Sequence, residues 1–272
     1  MAGRGFLKEA APIRNSSIKM LRNGRWQMMA EPINYDRPFA GAGLAASFAQ
    51  VWCEHYPGQE IGLIPCADGG SSMDEWMPGT PLFDHAVLQA KLAQRTSEIV
   101  GILWHQGESD CADDRLATYS DKLDRMIKAL RKQLGLENVP FVIGGLGEYL
   151  PECTLHDYFK NAPLMDKQLY NFAQRHENCY YVTAKNLQPN PDILHFSAQA
   201  LRIFGVRYFT ACDERRHVLL PLANEQEILA KQQNYVEMPV EDKIRMLKDQ
   251  LNTGVITWQT YDIAVAELIS AM

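Results

Sequence analysis

An aspartate and a histidine stand three residues apart in Asp192-Ile193-Leu194-His195. In a loop, that spacing lets the carboxylate accept the imidazole N–H while the other ring nitrogen faces outward. This is the base-and-orienter half of a catalytic triad. The same spacing also serves an aspartate that caps a helix start beside a purely structural histidine. A second set supplies donors: Gln106, in Trp104-His105-Gln106-Gly107-Glu108-Ser109-Asp110, and Gly69 with Gly70, in Cys66-Ala67-Asp68-Gly69-Gly70-Ser71-Ser72. A side-chain amide and a bare glycine N–H arriving from two neighbouring strand ends can meet at one oxygen, as an oxyanion hole requires. The plainer role for paired glycines is a tight turn. His105, Glu108 and Asp110 match no known metal-ligand frame, so neither a metal nor a cofactor is expected.

Each polar stretch follows an apolar run that reads as a buried strand. Ile61–Pro65 precedes the glycine turn, Ile99–Trp104 precedes Gln106, and Phe141–Ile143 and Cys179–Val182 are two further runs. Helical spacing fills the intervals at Leu44–His55, Pro81–Ser97, Leu116–Leu134 and Leu164–Arg175. A helix capped by Ser197 runs to about Cys212. Strands alternating with helices predict βαβ units and a parallel sheet, with ligands just past the carboxyl ends of the strands. Asn23-Gly24, within Ile18–Met28, is a hairpin signal. From residue 223 the pattern turns to helix alone. Val240–Leu251 and Thr257–Ile269 predict a hairpin with Ile244, Leu247, Leu251, Tyr261, Val265 and Leu268 on its inner face.

Composition narrows the function classes. The chain has 272 residues, 46% of them hydrophobic, and a formal charge of −6, which gives a real core but no basic footprint for nucleic acid. No apolar run approaches the roughly 18 residues of a spanning helix, so no membrane partner is expected. Six cysteines form no C-x-x-C pair, which suggests buried thiols in a reducing, cytoplasmic setting.

Three blocks, Trp104–Asp110, Cys66–Trp76 and Asp192–His195, together resemble the sialate O-acetylesterase and acetylxylan esterase-like group of SGNH hydrolases. The resemblance spans about residues 1–215. It implies a three-layer, flavodoxin-like α/β fold and hydrolysis of acetyl esters on sugars through a serine nucleophile. It further implies His195 as base, Asp192 as its orienter, Gln106 with Gly69 or Gly70 as oxyanion donors, and Glu108 as a supporting carboxylate. The expected organisation is an esterase domain over residues 1–222 and a helical extension over 223–272, the latter a candidate for self-association.

The chain departs from this group at its start. The family's nucleophile lies in Gly-Gln-Ser-Asn-Met-Ala-Gly-Arg-Gly, and Met1-Ala2-Gly3-Arg4-Gly5 matches only its tail. The serine would stand two residues before Met1, at the end of a first strand that is central in a 2-1-3-4-5 sheet. Its absence predicts a gap between the strands at Ile61 and Ile99, and a chain inactive as written. The alternatives are an inactive carbohydrate-binding or interaction protein that keeps the pocket, and a dimerising scaffold built on the tail. Ser71 and Ser72 have no nucleophile-elbow context.

Overall fold

The computed structural model describes residues 1–231 and 237–271. Two short three-stranded sheets form its centre, the first mixed and the second parallel. A hairpin opens the first: β1 (Ile18–Arg22) and β2 (Arg25–Met28) pair antiparallel around Asn23 and Gly24. Both turn residues have positive φ, 48° and 73°, the geometry that matches the strand twist and that Asn-Gly favours. After α1 (Leu44–His55), β3 (Ile61–Leu63) lies parallel to β1, with Ile18 opposite Ile61 and Met20 opposite Leu63. Then come α2 (Pro81–Ala93), β4 (Ile102–Trp104), α3 (Asp113–Leu134), β5 (Phe141–Gly144), α4 (His156–Phe159), α5 (Ala162–Arg175) and β6 (Cys179–Val182). Strands β4, β5 and β6 are mutually parallel and form the second sheet.

The order is therefore β2-β1-β3 and, separately, β4-β5-β6. Strands β3 and β4, which flank the expected gap, pair with β1 and β5 but not with each other. The run from Ile99 enters a strand only at Ile102, whose amide is the first to bond across, to Pro140. The hairpin, which its local signal could not attach to anything, supplies the edge strand β2 and the middle strand β1 of the first sheet.

Helices hold the two sheets as one body. Helix α6 (Ala198–Asp213) packs along α1. Helix α1 leans on β1 and β3, and α6 leans on β5 and β6. The α1–α6 crossing is close because residue 205 is glycine: a Cβ there would stand 2.2 Å from Leu44 O and 2.1 Å from Ser47 Oγ. Helix α5 packs on β5 and β6, and α3, in contact with α5, turns Tyr119, Leu123, Met126, Ile127 and Leu134 inward. Gly135, at φ 67°, ends α3 in the left-handed conformation that glycine adopts without steric cost.

The C-terminal part comprises α7 (Glu225–Lys231), α8 (Val240–Asn252) and α9 (Trp258–Ser270), with Thr257 Oγ1 accepting from Thr260 N to cap the last. Helices α8 and α9 pack together. The six apolar residues expected on the inner face are half-buried, whereas Asp242, Met246 and Asp249 are the buried positions of α8. Two of these three are acidic because α8 docks through hydrogen bonds. Asp242 accepts from the Met28 amide at 2.9 Å, and Asp249 accepts from Asn23 Nδ2 at 3.1 Å. Helix α9 has no buried residue. Among the described residues no helix is long and apolar enough to cross a membrane.

Candidate active site

Asp192 and His195 meet in the loop between β6 and α6. His195 Nδ1 lies 2.7 Å from Asp192 Oδ2, while Asp192 Oδ1 accepts the Leu194 and His195 amides at 2.9 and 3.0 Å. Burial works against the Asp192 charge, but the His195 amide, the imidazole and the Leu194 amide outweigh it and hold its pKa below the ordinary carboxylate value. The loop is closed on itself: the Asn190 amide donates to His195 O at 2.6 Å and the Ile193 amide to Asn190 O at 2.9 Å. Ile193 has φ 52°, a left-handed conformation unusual for a β-branched residue. Ser197 then caps α6, its Oγ accepting from the Ala200 amide. His195 Nε2 has no protein partner among the described residues, and the ring is well exposed.

The glycine turn and the Gln106 loop are bonded directly. Gln106 Nε2 donates to Ser71 O at 3.1 Å and to Asp110 Oδ2 at 2.6 Å. Its Oε1 accepts from the Tyr119 hydroxyl at 2.9 Å, which fixes which end of the amide is the donor. Asp110 also takes the Met73 amide at 2.8 Å, and Ser109 Oγ donates to Gly70 O at 2.9 Å. The Gly69 amide donates to Asp36 Oδ2 at 2.8 Å. Of the three expected oxyanion donors, the Gly70 amide alone has no acceptor among the described residues. Gly70 sits at φ 81°, where a side chain would be strained.

Glu108 lies beside His105, Oε1 to Nε2 at 3.1 Å. Burial alone would raise its pKa; the neighbouring imidazole, by charge and by hydrogen bond, overrides this and brings it down to about 2. The His105 ring stands 5.6 Å from that of Phe196, the residue after His195. Tyr149 packs 5.5 Å from the same Phe196, and its buried hydroxyl lies in the field of both Glu108 and Asp192. Burial, then those two charges, raise its pKa. Residue 1 also lies in the field of Glu108.

Arg4 links the glycine turn to the loop of Asp192 and His195. Its guanidinium bonds Asp36 at 3.1 Å, Asp36 holds the Gly69 amide, and its carbonyl accepts from Asn190 Nδ2 at 2.9 Å. Arg4, Asp36, Asn190 and Tyr149 were not singled out from the sequence. Arg4, inside the matched tail Met1–Gly5, and Asn190, two residues before Asp192 in Asn-Pro-Asp, carried local hints.

The serines of the turn are occupied. Ser71 Oγ donates to Asp68 O and accepts from the Trp76 indole, and Ser72 Oγ bonds Glu75 in a capping box. Among the described residues no group of three or more His, Cys, Asp or Glu is arranged to hold a metal ion.

Residues 1–214 match a family described as carbohydrate esterase, sialic acid-specific acetylesterase. A protein named probable carbohydrate esterase from Arabidopsis thaliana is 32% identical over 203 residues, covering 71% of this chain and 72% of that one. An X-ray structure of an Arabidopsis thaliana protein superposes with a TM-score of 0.68 at 28% identity, over 79% of this chain and 93% of the other. NanS shares the fold with a TM-score of 0.65 at 17% identity, over 79% and 92% of the two chains. The parallel α/β architecture is that of an SGNH-type hydrolase, and the chain belongs to the carbohydrate esterase family of sialic acid-specific acetylesterases.

Proposed function

We propose that the site removes acetyl groups from carbohydrate hydroxyls by serine acyl transfer, with the nucleophile contributed by a segment that precedes residue 1. The observation that carries this reading is the His195–Asp192 pair at 2.7 Å, with the outward ring nitrogen uncommitted. His195 takes the serine proton as general base, and Asp192 fixes the tautomer and stabilises the imidazolium. The carbonyl oxygen of the acetyl group becomes an oxyanion against the Gly70 amide. Gln106 Nε2, 3.1 Å from Ser71 O, exchanges that carbonyl for the oxyanion, while Gly69 holds the turn in place. His195 then protonates the sugar's ester oxygen as its bond to the acetyl carbon breaks, releasing the free hydroxyl, and water resolves the acetyl-enzyme by the same route. Two features support a nucleophile from upstream. Residue 1 lies in the field of Glu108, and the unpaired edges of β3 and β4 suit a strand between them.

The test is turnover of p-nitrophenyl acetate by three proteins: the chain as given, the chain extended by a strand ending in Gly-Gln-Ser-Asn, and the extended chain with that serine changed to alanine. The extended protein is expected to be active and to lose activity on His195→Ala. The given chain and the alanine variant should retain no more than the roughly 10³–10⁴-fold over water that a site without its triad can keep. Equal turnover by the given and extended chains overturns the assignment. One observation favours a second reading, in which the chain as given binds acetylated sugar without cleaving it: both hydroxyls of the turn are committed to structural bonds. In that case sugar binds and the extension adds no turnover.

The tail supports a further proposal, self-association through α9, whose Trp258, Ile263 and Ile269 are exposed. Deleting residues 240–271 should reduce the mass in solution to that of one chain; an unchanged mass would leave α8 and α9 with a packing role only. Six free thiols support a reducing, cytoplasmic setting.

A further inference from the structure

Phe39 is 67% exposed, more than any other large apolar side chain among the described residues. Singly exposed hydrophobics are ordinary, but this one is held in a fixed place. Its segment is pinned on both sides: Asp36 takes the Gly69 amide, the Ala40 amide donates to Arg37 O, and the Gly41 amide donates to Gly3 O at 3.1 Å. The Arg4 guanidinium lies 5.1 Å from the ring centroid, so a cation backs the ring while most of the residue stays exposed. Arg4 also crowds Gly69, its Nη2 standing 2.1 Å from where a Cβ would be. The ring is thus one side chain away from the turn that carries the Gly70 amide. Next to it Arg37 meets Asp68 in a two-point pair, at 3.0 and 3.3 Å, and donates to Gly69 O at 3.3 Å. Both members of the pair are partly open to water. Tyr158 marks the turn's other flank: it is 44% exposed, and its hydroxyl reaches Ser109 O, whose own Oγ reaches Gly70 O.

A sugar ring has a face of C–H bonds and an equator of hydroxyls. The first suits the negative face of an aromatic ring. The second suits a planar guanidinium–carboxylate pair, which offers donors and acceptors side by side. We propose that Phe39, with the Arg37–Asp68 pair, forms a subsite on which the sugar ring bearing the acetyl group stacks, orienting that group toward the Gly70 amide. This rests on the reading of the Gly69–Gly70 turn as the oxyanion corner of an esterase.

The probe is methyl 6-O-acetyl-glucopyranoside, titrated against the chain as given and followed by saturation-transfer NMR. Phe39→Ala should weaken binding about fivefold, as expected for loss of one aromatic contact. Phe39→Trp should restore it, and Trp258→Ala, on the distant α9, should leave it unchanged. Because Phe39 is exposed, thermal melts of Phe39→Ala should coincide with those of the unsubstituted chain, separating lost binding from lost folding. Equal binding by Phe39→Ala, or no saturable binding by the unsubstituted chain, overturns the subsite. p-Nitrophenyl acetate carries no sugar, so its turnover by the extended chain should be indifferent to Phe39→Ala. If that turnover is absent while Phe39-dependent binding persists, the esterase reading falls and the subsite stands.

Discussion

Glu108 shows how one neighbour can reverse the effect of burial. Its surroundings favour a neutral carboxyl, yet the imidazole of His105 at 3.1 Å keeps it ionised down to about pH 2. A group whose folded pKa is depressed contributes stability that is fully present above its unfolded value, about 4.3 for glutamate, and lost as pH falls through the folded value. Melting temperature should therefore decline between about pH 5 and pH 2, and Glu108→Gln should flatten that part of the curve. Thermal melts across this range check it; an unchanged slope would mean that the pair contributes nothing. The Asp192–His195 spacing could be read from the chain because both partners lie in one short loop. The Arg4–Asp36–Gly69 relay could not: it joins residues 32 and 33 positions apart through ordinary charged side chains whose meeting depends on the fold. Gln106 was legible as an amide at a strand end. Its orientation was not, since that is set by Tyr119 on α3 and Ser71 beyond β3.

At the scale of elements, the α1–α6 crossing carries what the sheet does not. With β3 and β4 unpaired to each other, these two helices connect the halves, and Gly205 allows their close approach. Gly205→Ala would place a methyl group 2.2 Å from a backbone carbonyl that cannot rotate away. Overpacking of this kind costs about 1–3 kcal/mol, so a lower urea midpoint with an unchanged slope is expected. A gain in stability, as alanine gives in an open helix, would show that the helices separate freely. Helices and the Asn23-Gly24 hairpin were legible because their signals are local: periodicity, caps at Ser197 and Thr257, a glycine stop at Gly135. The pairing of β1 with β3 was not, because it joins Ile18 to Ile61 across a whole helix.

For the whole molecule, the C-terminal helices are fastened to the β1–β2 hairpin by α8. Asp242 bonds the Met28 amide, and Asp249 stands 3.8 Å from Arg22 and bonds Asn23. Met238 and Met246 complete the contact from the apolar side. Removing residues 240–271 would take the acceptor from the buried Met28 amide, a loss of about 1–3 kcal/mol where the group is left unsatisfied, and the counter-charge from a mostly buried arginine. The truncated chain should melt at lower temperature while still binding the acetylated glucoside, because the fastening lies on the hairpin and the Gly70 turn lies beyond β3. Loss of sugar binding in a truncated chain that remains folded would contradict that separation. Apolar periodicity marked the two tail helices and left unread the face that α8 turns to the β1–β2 hairpin, since acidic side chains bonded to polar donors carry no hydrophobic signature.

Ile193 has a consequence for how this protein can change over generations. At φ 52° a β-branched residue carries local strain of about 1–3 kcal/mol, which the closed loop around Asp192 and His195 sustains. Glycine at that position would relieve it, at the cost of a freer unfolded chain and a looser loop. Ile193→Gly should thus melt no lower than the parent, while the imidazole of His195, followed by NMR, samples more positions. Selection acting on stability alone would drift toward glycine or asparagine there. A lineage that keeps isoleucine gives up stability to keep its histidine aimed, the trade-off between robustness and activity found where strain is stored at a working site.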